Sequence, residues 1–237
     1  MQIATSLRQP SLGLIKLDTL FPRLPGDLGL ASSWGPSVQE RVVAGALPHL
    51  IVKQQQSFES SPFAAAFGAA LVQLVQSGAS AITTSCGFLV LWQQALQALS
   101  PVPVVTSSLC LLPALLQHEE RVGVLTIDVP SLTPMHWQGA GLSGEQVGQL
   151  VVGGLAPESH FCQSILGNQA FLDPARAEQE VVAAALRILE NAPHLKTLVL
   201  ECTNLPPYQS GIEKATGLKV LSLRDVPALR AAANAKA

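Results

Sequence analysis

The sequence predicts an α/β fold made of two pseudo-symmetric lobes, each a mainly parallel sheet flanked by helices. Apolar runs of strand length alternate with longer helical patterns along the 237 residues, which is typical of βαβ units. The strand runs are almost continuously apolar, as expected for parallel strands that are buried on both faces. Near the middle of the chain the series starts again, which indicates an internal duplication.

The first half contains four predicted strands and two predicted helices. The strands are Leu12–Asp18, Arg41–Leu47, Ala81–Cys86 and Val102–Thr106, and the helices are Pro62–Ser77 and Leu89–Leu99. The second half repeats this order, with strands at Arg121–Asp128, Gln149–Leu155, Thr197–Cys202 and Lys219–Leu223, and helices at Asp173–Asn191 and from Val226 onward. We therefore expect lobe 1 to span residues 11–108 and lobe 2 residues 109–224, with residues 225–237 crossing back to lobe 1.

Three pairs of segments match between the halves in the same order. LGLIKLD matches VGVLTID, VVAG matches VVGG, and AITTSC matches TLVLEC. The matches bring together a glycine pair, an aspartate pair and a cysteine pair, namely Gly13 with Gly123, Asp18 with Asp128, and Cys86 with Cys202. A coincidence of three residue types in order supports the duplication.

Composition narrows the class of protein. With 48% hydrophobic and 13% charged residues the chain can bury a large core, and a net charge of −2 without a basic run argues against nucleic acid or an anionic membrane as partner. The apolar stretch Ala81–Leu91 is too short to span a bilayer. No apolar run with a cleavage site lies in Met1–Pro10, so we expect a cytoplasmic protein with reduced thiols. The spacing of the cysteines and histidines predicts no metal site.

The cysteine pair is the strongest chemical signal. Ligands of open α/β sheets bind beyond the carboxyl ends of the strands, and Cys86 and Cys202 each end a predicted strand just before a helix. If the lobes face each other, the two thiols approach one cleft from opposite sides. A helix N-terminus lowers a thiol pKa and binds a carboxylate, so we predict that both residues are catalytic. Cys110 and Cys162 are interpreted as packing residues.

Three motifs resemble a known family. They are TTSCGF at Thr83–Phe88, ECTNLPPY at Glu201–Tyr208 and LGLIKLDTLFPRLPGD at Leu12–Asp27. The chain resembles the cofactor-independent aspartate/glutamate racemase superfamily, which includes hydantoin racemase, maleate isomerase and arylmalonate decarboxylase. The resemblance implies two α/β lobes with the active site between them, one catalytic cysteine from each lobe, no cofactor, a role in amino acid metabolism and a homodimer.

The motifs also differ from the racemase pattern. Racemases usually follow the first cysteine with Asn-Thr, where this chain has Gly87 and Phe88, and the second with Thr and then Glu or His, where it has Thr203 and Asn204. The predicted contacts to a small carboxylate-bearing substrate are Asp18, Thr84, Ser85, Gly87, Phe88, Thr203 and Asn204. Of the two hydroxyl residues before Cys86, strand alternation favours Thr84.

Four other polar residues are expected to lie outside the site. Lys16, Arg23 and Lys53 are the nearest cations for a second substrate carboxylate, but each is interpreted as a solvated surface charge. His136 has no partner at a useful spacing and is interpreted as a surface or core residue.

The leading functional hypothesis is an isomerase. A racemase or epimerase would invert a carbon next to a carboxylate or carbonyl, with the two cysteines as base and acid. A maleate-type cis–trans isomerase also uses both cysteines, whereas an arylmalonate-type decarboxylase keeps only the second. A catalytically inactive small-molecule-binding protein remains a third class, since Gly87 and Phe88 depart from the racemase motif.

Overall fold

The computed structural model describes residues 11–234, which form two four-stranded parallel sheets. The first sheet consists of β1 (Ser11–Leu17), β2 (Val38–Val43), β3 (Ala79–Thr84) and β4 (Val104–Val105), in the spatial order β2-β1-β3-β4. The second consists of β5 (Val122–Thr126), β6 (Leu150–Gly154), β7 (Thr197–Leu200) and β8 (Lys219–Leu221), in the order β6-β5-β7-β8. The predicted fold class is confirmed, and the two halves share one strand order.

Helices cover both sheets. Within residues 11–234 the α-helices are α1 (Pro48–Val52), α2 (Ala64–Gln76), α3 (Gln93–Ala98), α4 (Leu112–Leu115), α5 (Pro134–Gly139), α6 (Gly144–Val147), α7 (His160–Leu166), α8 (Pro174–Asn191), α9 (Gln209–Thr216) and α10 (Pro227–Ala233). None of these helices combines the length and the apolar character needed to cross a bilayer. Short 3-10 helices lie between these elements. Those at Gly87–Trp92 and Pro206–Tyr208 lie beside the site described below.

Side-chain alternation along β1 divides the core of the first lobe. Leu12 and Leu14 point to one face of the sheet, where they pack with Leu229 of α10, and Ile15 and Leu17 point to the opposite face, where α2 packs. The end of the chain thus contacts the first sheet. The exact lobe boundaries stay a prediction, and residues 235–237 of the returning segment lie outside the described residues, as do residues 1–10.

The matched glycines allow close packing at equivalent places. A Cβ at Gly13 would lie 3.2 Å from side-chain atoms of Ala79, Ile82 and Leu74, and a Cβ at Gly123 would lie 2.9 Å from Leu198. Any larger side chain would push the central strand away from its neighbours. The glycine pair therefore has a packing role in both lobes.

Two predicted elements differ from the structure. The second strand ends at Val43 rather than Leu47, because the chain turns through Gly45, whose φ of +74° suits glycine. The helix predicted from Leu89 to Leu99 is instead a 3-10 helix at Gly87–Trp92 followed by the short α3. The 3-10 helix begins directly after Cys86, which brings backbone N–H groups to that thiol.

Candidate active site

Cys86 and Cys202 lie at matching places in the two lobes. β3 ends at Thr84 and β7 at Leu200, so the prediction that the cysteines end their strands is wrong by two residues in each case. The chain leaves the sheet first and then turns the cysteine toward the other lobe. Both side chains are more than nine-tenths buried and line one pocket. Each lobe therefore contributes one thiol to a shared pocket.

The pocket lies between the carboxyl ends of the two sheets. It is narrow, with a cavity volume of about 20 Å³, which is room for about one water molecule, so a substrate must widen the cleft as it binds. Its wall is mainly apolar, formed by Leu17, Phe21, Pro48, Val52, Phe88, Ile127, Ile165 and Leu166. Its polar lining consists of Thr19, Arg23, Ser85, Glu201, Thr203 and Asn204 besides the two thiols. The chemistry of this lining suits a small ligand with both apolar and charged parts.

Burial dominates the electrostatics of the thiols. It raises the pKa of Cys86 to about 12, with a further increase from Glu201, and this outweighs the N–H groups of Phe88 and Leu89 and the charge of Arg23, which lower it. The pKa of Cys202 is raised well above its usual value, first by burial and then by Glu201. The predicted lowering of the thiol pKa is therefore wrong. A ligand that brings a positive charge would favour the thiolate.

A buried ion pair extends the polar part of the site. Arg23 Nη1 donates a hydrogen bond to Asp27 Oδ1 over 2.7 Å, and both side chains are less than a tenth exposed. Asn204 Nδ2 donates to Asp27 Oδ2 over 2.7 Å, and Asn204 Oδ1 accepts from Cys202 Sγ over 3.5 Å. The result is a continuous chain of contacts from the guanidinium group to the thiol of the second lobe.

Arg23 is not the surface charge that the sequence predicts. Its guanidinium carbon lies 4.8 Å from the centre of the Phe21 ring, and the group packs against Gly29, where any side chain would overlap it. The turn-rich loop after β1 folds Arg23 inward onto Asp27, four residues later. The signal that could have indicated this contact is an Arg–Asp pair at i,i+4 within a loop of prolines and glycine.

Thr203 makes two hydrogen bonds between the lobes, one with its hydroxyl group and one with its backbone. Its Oγ1 donates a hydrogen bond to the carbonyl oxygen of Ser85 over 2.7 Å, and its own carbonyl oxygen accepts from the N–H of Leu28 over 3.0 Å. Because the hydroxyl group has a single proton, the side chain of Thr203 cannot also donate to a substrate carboxylate in this arrangement. Thr203 lines the pocket, but its side chain joins the lobes.

The structure separates the remaining predicted contacts into two groups. Ser85, Gly87 and Phe88 line the pocket, whereas Asp18 and Thr84 do not. Asp18 Oδ2 accepts a hydrogen bond from the N–H of Gly45 and so holds the turn after β2. Thr84 Oγ1 lies within hydrogen-bond distance of the carbonyl oxygens of Cys86 and Thr106, so its one proton is directed to the backbone. The preference for Thr84 over Ser85 is reversed, because alternation ends where β3 ends.

Glu201 is a pocket residue for which sequence analysis predicted no role. Its side chain is almost fully buried beside the thiols, and Thr126 Oγ1 donates a hydrogen bond to its Oε2 over 2.8 Å. Oε1 has no partner among residues 11–234. The available signal was a glutamate at the end of an apolar strand, a position where an acidic side chain is rarely buried without a reason.

A salt bridge also joins the lobes at the mouth side of the site. Lys53 Nζ lies 2.7 Å from Asp128 Oδ2, with the lysine more than half exposed and the aspartate largely buried. Lys53 directly follows Val52 of the pocket wall. In the part of the chain that the structure describes, no group of three or more His, Cys, Asp or Glu side chains is arranged to hold a metal ion.

The fold and the site define a class: two-lobed α/β proteins with one buried cysteine from each lobe in a common pocket. Residues 36–230 match the model of the Asp/Glu/hydantoin racemase family, and the chain belongs to this family. The family resemblance predicted from the motifs is confirmed.

Relatives within this class have different named activities. The chain is 29% identical over 228 residues to a dimethylsulfoniopropionate lyase of Durusdinium sp. clade D. The match covers 91% of this chain and 72% of the relative. The solved structure of the Gly74Cys mutant of arylmalonate decarboxylase matches with a TM-score of 0.58 at 17% identity, covering 96% of this chain and 95% of that one. Glutamate racemase isoform RacE1 from Bacillus anthracis matches with a TM-score of 0.54 at 16% identity, covering 94% and 79%.

Proposed function

We propose that the protein is a lyase that removes a proton from the carbon next to a carboxylate and expels a neutral sulfide from the adjacent carbon. The observation that carries this proposal is the pair of thiols, Cys86 and Cys202, in one buried pocket. The substrate we propose is dimethylsulfoniopropionate or a close analogue. The similarity to a dimethylsulfoniopropionate lyase over 91% of the chain supports this choice.

The electrostatics of the pocket favour a zwitterionic substrate. Burial raises the pKa of both cysteines and so favours the thiol form, and the carboxyl group of Glu201 raises the pKa of each further. A sulfonium cation bound beside them lowers the pKa of the thiols and thereby generates the base where the substrate is. The apolar walls suit the methyl groups of the cation.

Cys86 is the better candidate for the base. Arg23 lowers the pKa of this thiol, and the N–H groups of Phe88 and Leu89 stabilise its thiolate. In the proposed step the thiolate takes the proton from the α-carbon, and the C–H electron pair forms the double bond between the α- and β-carbons. The bond from the β-carbon to sulfur breaks, and its electrons leave with dimethyl sulfide. Acrylate remains, and the proton passes from the thiol to solvent.

Incubation with dimethylsulfoniopropionate in deuterated buffer tests the proposal. We expect acrylate signals by ¹H NMR and dimethyl sulfide in the headspace by gas chromatography. Cys86→Ser and Cys202→Ser should each lower turnover by about 100-fold or more. The matched control is Cys110→Ser, which removes a thiol outside the pocket and should leave turnover intact. Wild-type protein that yields neither product contradicts the lyase proposal.

The second candidate is the two-base racemase or epimerase that the sequence predicts. The placement of one thiol on each lobe favours it, since inversion needs a proton donor and an acceptor on opposite faces of the carbon. D- and L-amino acids, hydantoins and 2-substituted dicarboxylic acids are therefore included in the deuterium-exchange experiment. Exchange at the α-carbon with inversion and without loss of a substituent would identify a racemase, and loss of carbon dioxide would identify a decarboxylase.

A further inference from the structure

The carboxyl group of Glu201 is the buried acidic group of the pocket that the proposed reaction does not yet use. It directly precedes Cys202 and lies against the loop that carries Cys86, so it borders both thiols. Its side chain is 1% exposed. A carboxyl group in such a place needs a function or a partner, because burying an uncompensated charge is costly.

The two oxygens of this carboxyl group have different surroundings. Oε2 accepts the hydrogen bond from Thr126 Oγ1, and Thr126 is itself fully buried in β5. Oε1 lies beside Gly87, which lines the pocket, and has no hydrogen-bond partner within residues 11–234. One oxygen is therefore fixed by the protein, and the other has an unused hydrogen-bonding position at the pocket wall.

The charged groups around Glu201 favour its neutral form. Cys86 and Cys202 flank it, Asp128 lies nearby on the loop after β5, and the cations Arg23 and Lys53 are each bonded to another carboxylate. Burial, followed by the charge of Asp128, raises the pKa of Glu201 to about 8 against the effect of the Thr126 hydrogen bond. At neutral pH Glu201 has one proton on a carboxyl group whose Oε1 has no other contact, and Cys86 is a thiol. A neutral Glu201 beside a Cys86 thiolate requires the bound substrate, whose carboxylate raises the pKa of Glu201 and whose sulfonium group lowers the pKa of Cys86.

We propose that Glu201 is a further catalytic residue, which donates a hydrogen bond from Oε1–H to the substrate carboxylate as the α-proton is removed. This inference rests on the proposed function and assigns one more residue to the same site. When the α-proton leaves, negative charge spreads onto the carboxylate oxygens, and a neutral acid in a dry pocket stabilises that charge without adding repulsion. An ionised Glu201 would instead repel it.

The kinetic test uses two variants of nearly equal size. In Glu201→Gln the amide oxygen keeps the Thr126 bond and the NH₂ group replaces the Oε1–H donor, so we expect kcat to fall by about tenfold. In Glu201→Met the donor is lost, and we expect kcat to fall by about 100- to 1,000-fold with a smaller change in KM. Above about pH 8 wild-type kcat should fall relative to that of Glu201→Gln, as Glu201 ionises.

The opposite result would overturn the inference. If Glu201 acts as a carboxylate base, Glu201→Gln should be as inactive as Glu201→Met. Equal kcat values for wild type and Glu201→Met would show that the residue makes no contribution. If Glu201→Met fails to fold, the comparison of wild type with Glu201→Gln across pH still decides between a neutral donor and a charged base.

A measurement without substrate separates this inference from the proposed function. Alkylation of Cys86 and Cys202 by iodoacetamide, followed by peptide mass spectrometry, reports the thiolate fraction of each. Below pH 8 the rates of wild type and Glu201→Gln should coincide, and above it wild type should be slower, because only there does Glu201 add negative charge. Slower wild-type alkylation already at pH 6 would contradict a neutral Glu201, whatever the protein does to dimethylsulfoniopropionate.

Discussion

Gly87 of the first lobe packs directly against Glu201 of the second. A Cβ at position 87 would lie 3.0 Å from Glu201 Cδ and would overlap both the carbonyl oxygen and Oε1 of that residue. The residue after the first cysteine is therefore glycine for a steric reason: the lobes approach each other so closely here that a side chain cannot fit. The departure from the Asn-Thr pattern of racemases is coupled to the buried glutamate before the second cysteine.

Gly87→Ala should disturb the site through this contact. The added methyl group must push the two cysteine loops apart, which costs about 1–3 kcal/mol of stability and lowers kcat by about 100-fold through misplacement of the reacting groups. Urea denaturation and the dimethyl sulfide assay measure the two effects. Gly144→Ala is the matched control, because a Cβ there meets no atom within 4 Å. Equal behaviour of the two variants would show that the loops can separate freely.

The ion pair between Arg23 and Asp27 should contribute more to stability than an exposed pair of the same spacing. Arg23→Gln leaves a buried carboxylate without its cation and should lower the free energy of unfolding by about 3–5 kcal/mol. Arg176→Gln breaks a second i,i+4 pair, with Glu180, whose arginine is mostly exposed, and should cost less than about 1 kcal/mol. Urea titrations compare the two variants directly, and similar losses would contradict a structural role for the buried pair.

Sequence reasoning identified the repeated architecture because both lobes repeat the same local pattern. The apolar runs around Gly13 and Gly123 belong to the central strands, and each cysteine follows a strand of its own lobe. These features depend on neighbours in sequence. The two-residue error in placing Cys86 and Cys202 arose because the chain stays buried and bonded to the sheet past the strand ends: the N–H groups of Ser85 and Glu201 still donate to Ile15 and Leu125 of the central strands.

The polar lining of the pocket could not be predicted in the same way. Arg23 pairs with Asp27 of its own loop, and Asp27 in turn accepts a hydrogen bond from Asn204 of the second lobe. Glu201 and Thr126 likewise come together from neighbouring strands 75 residues apart. Such contacts depend on how segments far apart in the sequence pack together, and no periodicity in the chain records that packing.

The burial of Glu201 should make the free energy of unfolding depend on pH. Its pKa is about 8 in the folded state and about 4.5 in the unfolded chain, so between these values the folded protein binds one proton more than the unfolded protein. The free energy of unfolding of wild type should therefore fall as pH rises through this window, by about 1 kcal/mol per pH unit relative to Glu201→Gln. Urea denaturation of both proteins at pH 5, 6.5 and 8 measures this difference. If the free energies of unfolding of wild type and Glu201→Gln change in parallel with pH, Glu201 is ionised in the folded protein.

His136 should make the free energy of unfolding fall as pH decreases, which is the opposite of the effect of Glu201. It is fully buried in α5, its ring lies 5.6 Å from that of Phe88, and its Nδ1 accepts a hydrogen bond from the N–H of Thr133. Burial lowers the pKa of His136 to about 4 from about 6.5, so the unfolded chain binds the extra proton between these values. Stability should fall as pH decreases from 6.5 to 4.

His136→Asn keeps an acceptor for Thr133 but cannot take up a proton, so it should lose less stability than wild type over this window. His118→Asn, at an exposed position, is the matched control and should follow the wild-type curve. Because His136 packs against Phe88 of the pocket wall, its protonation should also lower turnover at acid pH in wild type but not in His136→Asn. Identical acid profiles for all three proteins would show that the positive charge of His136 is tolerated in the folded core.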